Sequence, residues 1–105
     1  MRKIPVGVLA ATGAVGQRFV QLLAGHPWFE VAAVTGSERT AGRRYGEAVN
    51  WVIPGEIPDE VASLEVQHSE PDLQVPVVFS ALPSQKAWEL EPIFASAGYI
   101  VVTNA

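Results

Sequence analysis

Thirteen residues near the start, Ile4 to Gly16 (I-P-V-G-V-L-A-A-T-G-A-V-G), constrain what this chain can fold into more than any other stretch. Val6, Val8 and Leu9 make a short apolar, β-branched run, the composition of a strand buried on both faces. The run passes through Ala10-Ala11-Thr12-Gly13-Ala14 into a helical pattern, with Val15, Phe19, Leu22 and Leu23 at i, i+4, i+7 and i+8. A strand that turns through small residues straight into a helix aims the free N–H groups and the positive end of the helix dipole at one point, which suits a phosphate. Gly13 allows a ligand close to the backbone, and Gly16 allows the helix to lie close to the strand. The stretch reads as the start of a dinucleotide-binding βαβ unit.

The spacing is A-x-x-G-x-x-G, from Ala10 through Gly13 to Gly16, rather than the full G-x-G-x-x-G. A tight strand-to-helix turn with no ligand is the plain alternative. A secretory signal, suggested by Arg2 and Lys3 ahead of an apolar segment, is rejected: Pro5, the interrupting glycines and the amphipathic helix do not fit one.

One βαβ unit needs a second strand. A helix over 14–24 ends at Gly25 and Pro27, and Glu30 to Thr35 supplies an apolar strand, which makes the pair parallel and right-handed. The residues after that strand select the cofactor, because an acidic side chain there holds the ribose 2′-OH of NAD and a cationic one the 2′-phosphate of NADP. Ser37 and Arg39 are phosphate-type residues, so NADP is expected. Glu38 lies between them and would suit a ribose diol unless it points away.

Residues 46–76 read as an irregular, Pro-rich connection with a short edge strand at 64–67, its carboxylates a solvated face. Val75 to Ser80 resumes the buried-strand composition, and Ala81-Leu82-Pro83 turns the chain. Ser84 suits an N-cap for a helix from Gln85 to Glu91, with Pro92 starting a second piece, and Tyr99 to Thr103 is a last strand. These elements predict an α/β, Rossmann-type doubly wound, mostly parallel sheet with flanking helices. Its cofactor crevice would gather Thr12-Gly13, Ser80-Ala81-Leu82 and Asn104.

At 105 residues the chain suffices for one domain, here a dinucleotide-binding domain over 1–105. Seven Lys and Arg against eleven Asp and Glu give a net charge of −4, which disfavours nucleic acid and anionic membranes. No apolar run approaches the roughly 18 residues that span a bilayer, and with no export signal a cytoplasmic location is expected. Cysteine is absent, which removes disulfides, thiolate metal sites and any cysteine nucleophile from these residues.

A-T-G-A-V-G-Q-R-F at 11–19, H-P-W-F-E-V at 26–31, S-E-R-T-A-G-R-R-Y-G-E at 37–47, F-S-A-L-P-S at 79–84 and V-V-T-N-A at 101–105 closely resemble the aspartate-semialdehyde dehydrogenase family, in its archaeal and fungal branch. The resemblance implies an NADPH-dependent reduction of aspartyl phosphate through a cysteine thioester, in amino-acid biosynthesis. It implies that Thr12, Gly13, Ala14 and Val15 cradle the pyrophosphate, that Ser37 and Arg39 meet the 2′-phosphate side, and that Ser80, Ala81, Leu82 and Asn104 line the nicotinamide side. Two departures stand out. The family opens its loop with glycine where this chain has Ala10, which sets a methyl at a turn facing the pyrophosphate. The family's catalytic domain, with its cysteine and histidine, has no counterpart here, and His26 and His68 match no catalytic motif. A thioester needs a thiolate, so these residues alone are expected to be inactive, and to pair with a separate catalytic domain or to self-associate. The alternatives are the N-terminal domain of a malonyl-CoA or succinyl-CoA reductase, which resembles these enzymes in the same motifs, and a free-standing dinucleotide-binding module.

Overall fold

A computed structural model describes residues 2–103. The expected first strand forms as β1 (Ile4–Leu9), and Val6, Val8 and Leu9 are fully buried within it. It is followed by α1 (Ala14–Leu23), β2 (Phe29–Thr35), two single-turn helices α2 (Tyr45–Ala48) and α3 (Asp59–Ala62), β3 (Val66–Gln67), β4 (Val77–Ser80), α4 (Ser84–Ser96) and β5 (Ile100–Thr103). The strands make one sheet in the order β3-β2-β1-β4-β5, and every pairing is parallel. The chain starts in the middle, winds outward to β3, then returns to the other flank, so the sheet reverses direction beside β1. In open α/β sheets that reversal is where ligands bind, at the carboxyl ends of the strands.

Two cores result. On one face α1, α2 and α3 cover Val6, Val8, Val31, Val34 and Val66, with the Tyr45 ring fully buried among them. Phe79 meets Phe19 and Phe29 there, at ring-centroid distances of 5.7 and 5.8 Å. On the other face Leu73, Val75 and Phe94 close over Leu9, Ala33 and Val78. Phe94 stacks edge-on against Tyr99 at 5.0 Å, and the Tyr99 hydroxyl accepts a hydrogen bond from the Leu73 N–H at 3.0 Å.

Three local expectations are corrected. The inward face of α1 is Gly16, Gln17, Val20 and Leu23, while Val15 and Leu22 are exposed. The helix turns a smaller and partly polar face inward because it must lie against the backbone of β1 and its turn. The predicted break at Pro92 does not occur, and α4 runs unbroken through it. Only Ala87 and Phe94 are buried along that helix, so Pro92 sits on its solvent side, where water replaces the lost donor. Its N-cap is Pro83 and not Ser84; the Pro83 carbonyl accepts the Ala87 N–H at 2.8 Å and Ser84 is the first helical residue.

Candidate functional site

The carboxyl ends of β1, β2 and β4 open onto a crevice of about 1140 Å³. Ala10, Thr12 and Gly13 line its middle, Gly36 to Arg39 and His68 to Glu70 one end, and Ala81, Leu82, Pro83, Lys86 and Leu90 the other. Thus Thr12, Gly13, Ser37, Arg39, Ala81 and Leu82, six of the expected residues, share one cavity.

The middle of the crevice is a turn with an unusual backbone. Ala10 has φ +59°, the left-handed region, which explains why a glycine suits this position. The Ala10 N–H donates to Thr35 Oγ1 at 3.0 Å and the Ala11 N–H to the Thr35 carbonyl at 2.9 Å. Thr35 is fully buried, and its hydroxyl is also bonded to Ser69 Oγ at 2.7 Å.

Five successive carbonyls of the turn are occupied. Leu9 O accepts from the Ala81 N–H at 3.0 Å, Ala10 O from the Gly13 N–H at 3.4 Å, and Gly13 O from the Gln17 N–H at 2.8 Å. Ala11 O accepts from Tyr45 Oη at 2.7 Å and Thr12 O from Gln17 Nε2 at 2.9 Å. By contrast, the N–H groups of Ala14, Val15 and Gly16, at the start of α1, have no acceptor among the described residues. The turn therefore offers donors and withholds acceptors, which is what an anion requires.

Gly16 meets the expectation of close helix–strand approach. A Cβ there would overlap the Ala10 carbonyl and come within 2.6 Å of Ala11 Cα. Around a Cβ at Gly13 only the Ala10 carbonyl would lie nearby, at 3.9 Å, so the space beside it belongs to the crevice.

The loop after β2 folds back on itself. The Ser37 carbonyl accepts from the Thr40 and Ala41 N–H groups at 3.0 Å and from Thr40 Oγ1 at 3.1 Å. The side chains of Ser37 and Arg39 are left exposed at the crevice, with no hydrogen-bond or ion-pair partner among the described residues. Glu38, between them, lines the same crevice. Ala14 and Val15 are exposed at the first turn of α1 and are not among the residues that line the crevice, although their N–H groups have no acceptor among the described residues. Ser80 is only 1% exposed; its hydroxyl accepts from the Leu82 N–H at 3.5 Å, beneath the crevice wall. Asn104 lies outside the described residues.

The profile of a family described as "Semialdehyde dehydrogenase, NAD binding domain" matches residues 5–105. The chain belongs to this family. Among curated relatives of the semialdehyde dehydrogenase domain, the aspartate-semialdehyde dehydrogenase of Archaeoglobus fulgidus is 50% identical over 101 residues, 95% of this chain and 29% of that protein. The malonyl CoA reductase (NADP) of Metallosphaera sedula is 38% identical over 106 residues, again 29% of its length. A crystal structure of aspartate-semialdehyde dehydrogenase with NADP from Candida albicans superposes with a TM-score of 0.93 at 41% identity, covering 99% of this chain and 30% of that one. The chain thus spans about a third of the length of the relatives it matches, an archaeal and a fungal protein among them.

The residues that hold this domain's turn in shape were not visible as site residues in the sequence. Gln17 is 2% exposed, and besides Thr12 O its amide donates to Asn50 O at 3.0 Å and accepts from the Val52 N–H at 2.8 Å. Burial pushes the Tyr45 hydroxyl well above its usual pKa of about 10, so it remains a donor at neutral pH. The one available signal was Gln17 itself, a polar residue between Gly16 and Val20 on a helix that must pack closely.

Proposed function

We propose that this chain is the NADP-binding domain of an aspartate-semialdehyde dehydrogenase, acting in the cytoplasm in the NADPH-dependent reduction of aspartyl phosphate. The observation that carries the reading is one crevice with a donor-only turn at its middle and, at its end, Ser37 and Arg39 side chains that have no partner among the described residues. The open space beside Gly13 fits a pyrophosphate, whose oxygens the Ala14, Val15 and Gly16 amides would meet together with Thr12. Ser37 and Arg39 would take the 2′-phosphate, while Ala81 and Leu82 would flank the nicotinamide, with Ser80 supporting them from below. When bound, NADPH supplies the hydride. These residues bind and orient the cofactor and contribute no nucleophile, since cysteine is absent from the 105 residues.

The thioester chemistry would require a catalytic domain bearing a cysteine. The exposed Ile100 and Val102 of β5, and separately Trp88 of α4, supply apolar surface suited to pairing or to self-association. A malonyl-CoA reductase domain is the second reading, favoured by the Metallosphaera sedula relative. The higher identity to the Archaeoglobus fulgidus enzyme supports aspartyl phosphate.

Calorimetric titration tests the cofactor. NADP should bind more tightly than NAD, and Arg39→Ala should remove most of the preference, since a charge-assisted contact of roughly 1.5–3 kcal/mol corresponds to about 10- to 150-fold. Equal affinities for the two cofactors would refute the assignment. Fusing residues 1–105 in place of the matching segment of the Archaeoglobus fulgidus enzyme tests the reaction. Phosphate- and NADP-dependent oxidation of aspartate semialdehyde is expected; a folded but inactive fusion would count against it.

A further inference from the structure

The geometry points to Tyr45 and Gln17 as positioning residues for the pyrophosphate turn: by donating to the Ala11 and Thr12 carbonyls from inside the core, they keep both oxygens out of the crevice. The inference rests on the dinucleotide reading and deepens it.

A carbonyl oxygen carries partial negative charge, so a peptide that rotated to show one to a phosphate would replace an attractive donor with a repulsive acceptor. Residues 10–13 are liable to such rotation, because Ala10 is held at φ +59°, a conformation an alanine leaves readily. Two side-chain donors oppose it. Tyr45 Oη reaches Ala11 O at 2.7 Å and Gln17 Nε2 reaches Thr12 O at 2.9 Å. Both side chains are almost entirely buried, so neither bond has water as a competitor.

The two donors also arrive from the neighbouring parts of the site. Tyr45 opens α2, directly after the loop that carries Ser37 and Arg39, and the Tyr45 N–H is fixed on Leu64 O at 2.8 Å. Gln17 joins the turn to the 50–52 segment through Asn50 O and the Val52 N–H. The shape of the turn is thus set by segments more than thirty residues away in sequence.

The test uses Tyr45→Phe and Gln17→Met, which keep the bulk and delete the donor, with two probes: NADP, and adenosine 2′-monophosphate, which carries the 2′-phosphate but no pyrophosphate. Each variant is expected to weaken NADP roughly tenfold, the worth of one buried hydrogen bond, and to leave the monophosphate within about twofold. Arg39→Ala should weaken both probes. A merely structural role would lower both probes in parallel in the Tyr45 and Gln17 variants; that result, or undiminished NADP binding in a folded variant, overturns the inference. If Tyr45→Phe does not fold, Gln17→Met alone decides. An unaltered chain that binds neither probe overturns the dinucleotide reading itself, and is distinguishable because it needs no variant.

Discussion

Val6, Val8 and Leu9 of β1 are fully buried, whereas in β5 Ile100 is 62% and Val102 40% exposed, although both strands are apolar β-branched runs. The difference lies in what covers each strand. β1 has α1, α2 and α3 over one face and Leu73, Val75 and Phe94 over the other. β5 has α4 on the side of Val101 and, among the described residues, no cover over Ile100 and Val102. Composition shows that a strand can be buried on both faces; the number of layers built against it decides whether it is.

One carbon added to the crowded flank should cost far more than two removed from the open one. Gly16→Ala places a methyl against the Ala10 and Ala11 backbone, which cannot yield as a flexible side chain would. It should cost about 3 kcal/mol or more in denaturant unfolding and abolish dinucleotide binding. Val102→Ala should fall within about 0.5 kcal/mol. Comparable losses in the two variants would show that the β5 flank is as tightly packed as β1.

The buried phenol gives a test by pH. Because burial raises the Tyr45 pKa above its unfolded value, its contribution to stability is complete below about pH 10 and is lost as pH rises toward the folded value. Stability should therefore decline above pH 10 in the native chain, and the decline should be smaller in Tyr45→Phe. Identical alkaline profiles for the two proteins would mean that Tyr45 ionises without disturbing the fold.

The smallest expected effect sharpens the contrast within the backbone. Ala10 and Gln74 both have φ near +60°, one in the pinned turn and the other exposed before Val75. Replacing either by glycine removes left-handed strain but adds freedom to the unfolded chain, for a net gain of about 0.5 kcal/mol by thermal unfolding. Only Ala10→Gly should also tighten NADP binding, because only that position lines the crevice. Tightening by Gln74→Gly as well would locate the effect in global stability.

What could be read without the structure was local. The first strand was legible in Val6, Val8 and Leu9, the bounds of the other four to within about two residues, and the crevice residues Thr12, Gly13, Ser37, Arg39, Ala81 and Leu82 followed from strand ends and turn chemistry. Errors arose where partners distant in sequence took over. Periodicity turned Val15 and Leu22 inward, but contact with the β1 turn demanded Gly16 and Gln17. Pro92 looked like a helix end because its missing donor is a local fact, while its solvent-facing position is not.

Residue order alone set the alternation of strand and helix, the glycine turn and the cation after the second strand, because each depends on a few neighbouring residues and on backbone preferences. It also determined that no thiol chemistry resides in these residues. Which way the turn's peptides face was set by contacts that exist in the folded chain alone. That orientation depends on Thr35, Tyr45 and Gln17 meeting backbone groups across the fold, and a hydrogen bond between a side chain and a distant carbonyl leaves no periodic trace along the chain.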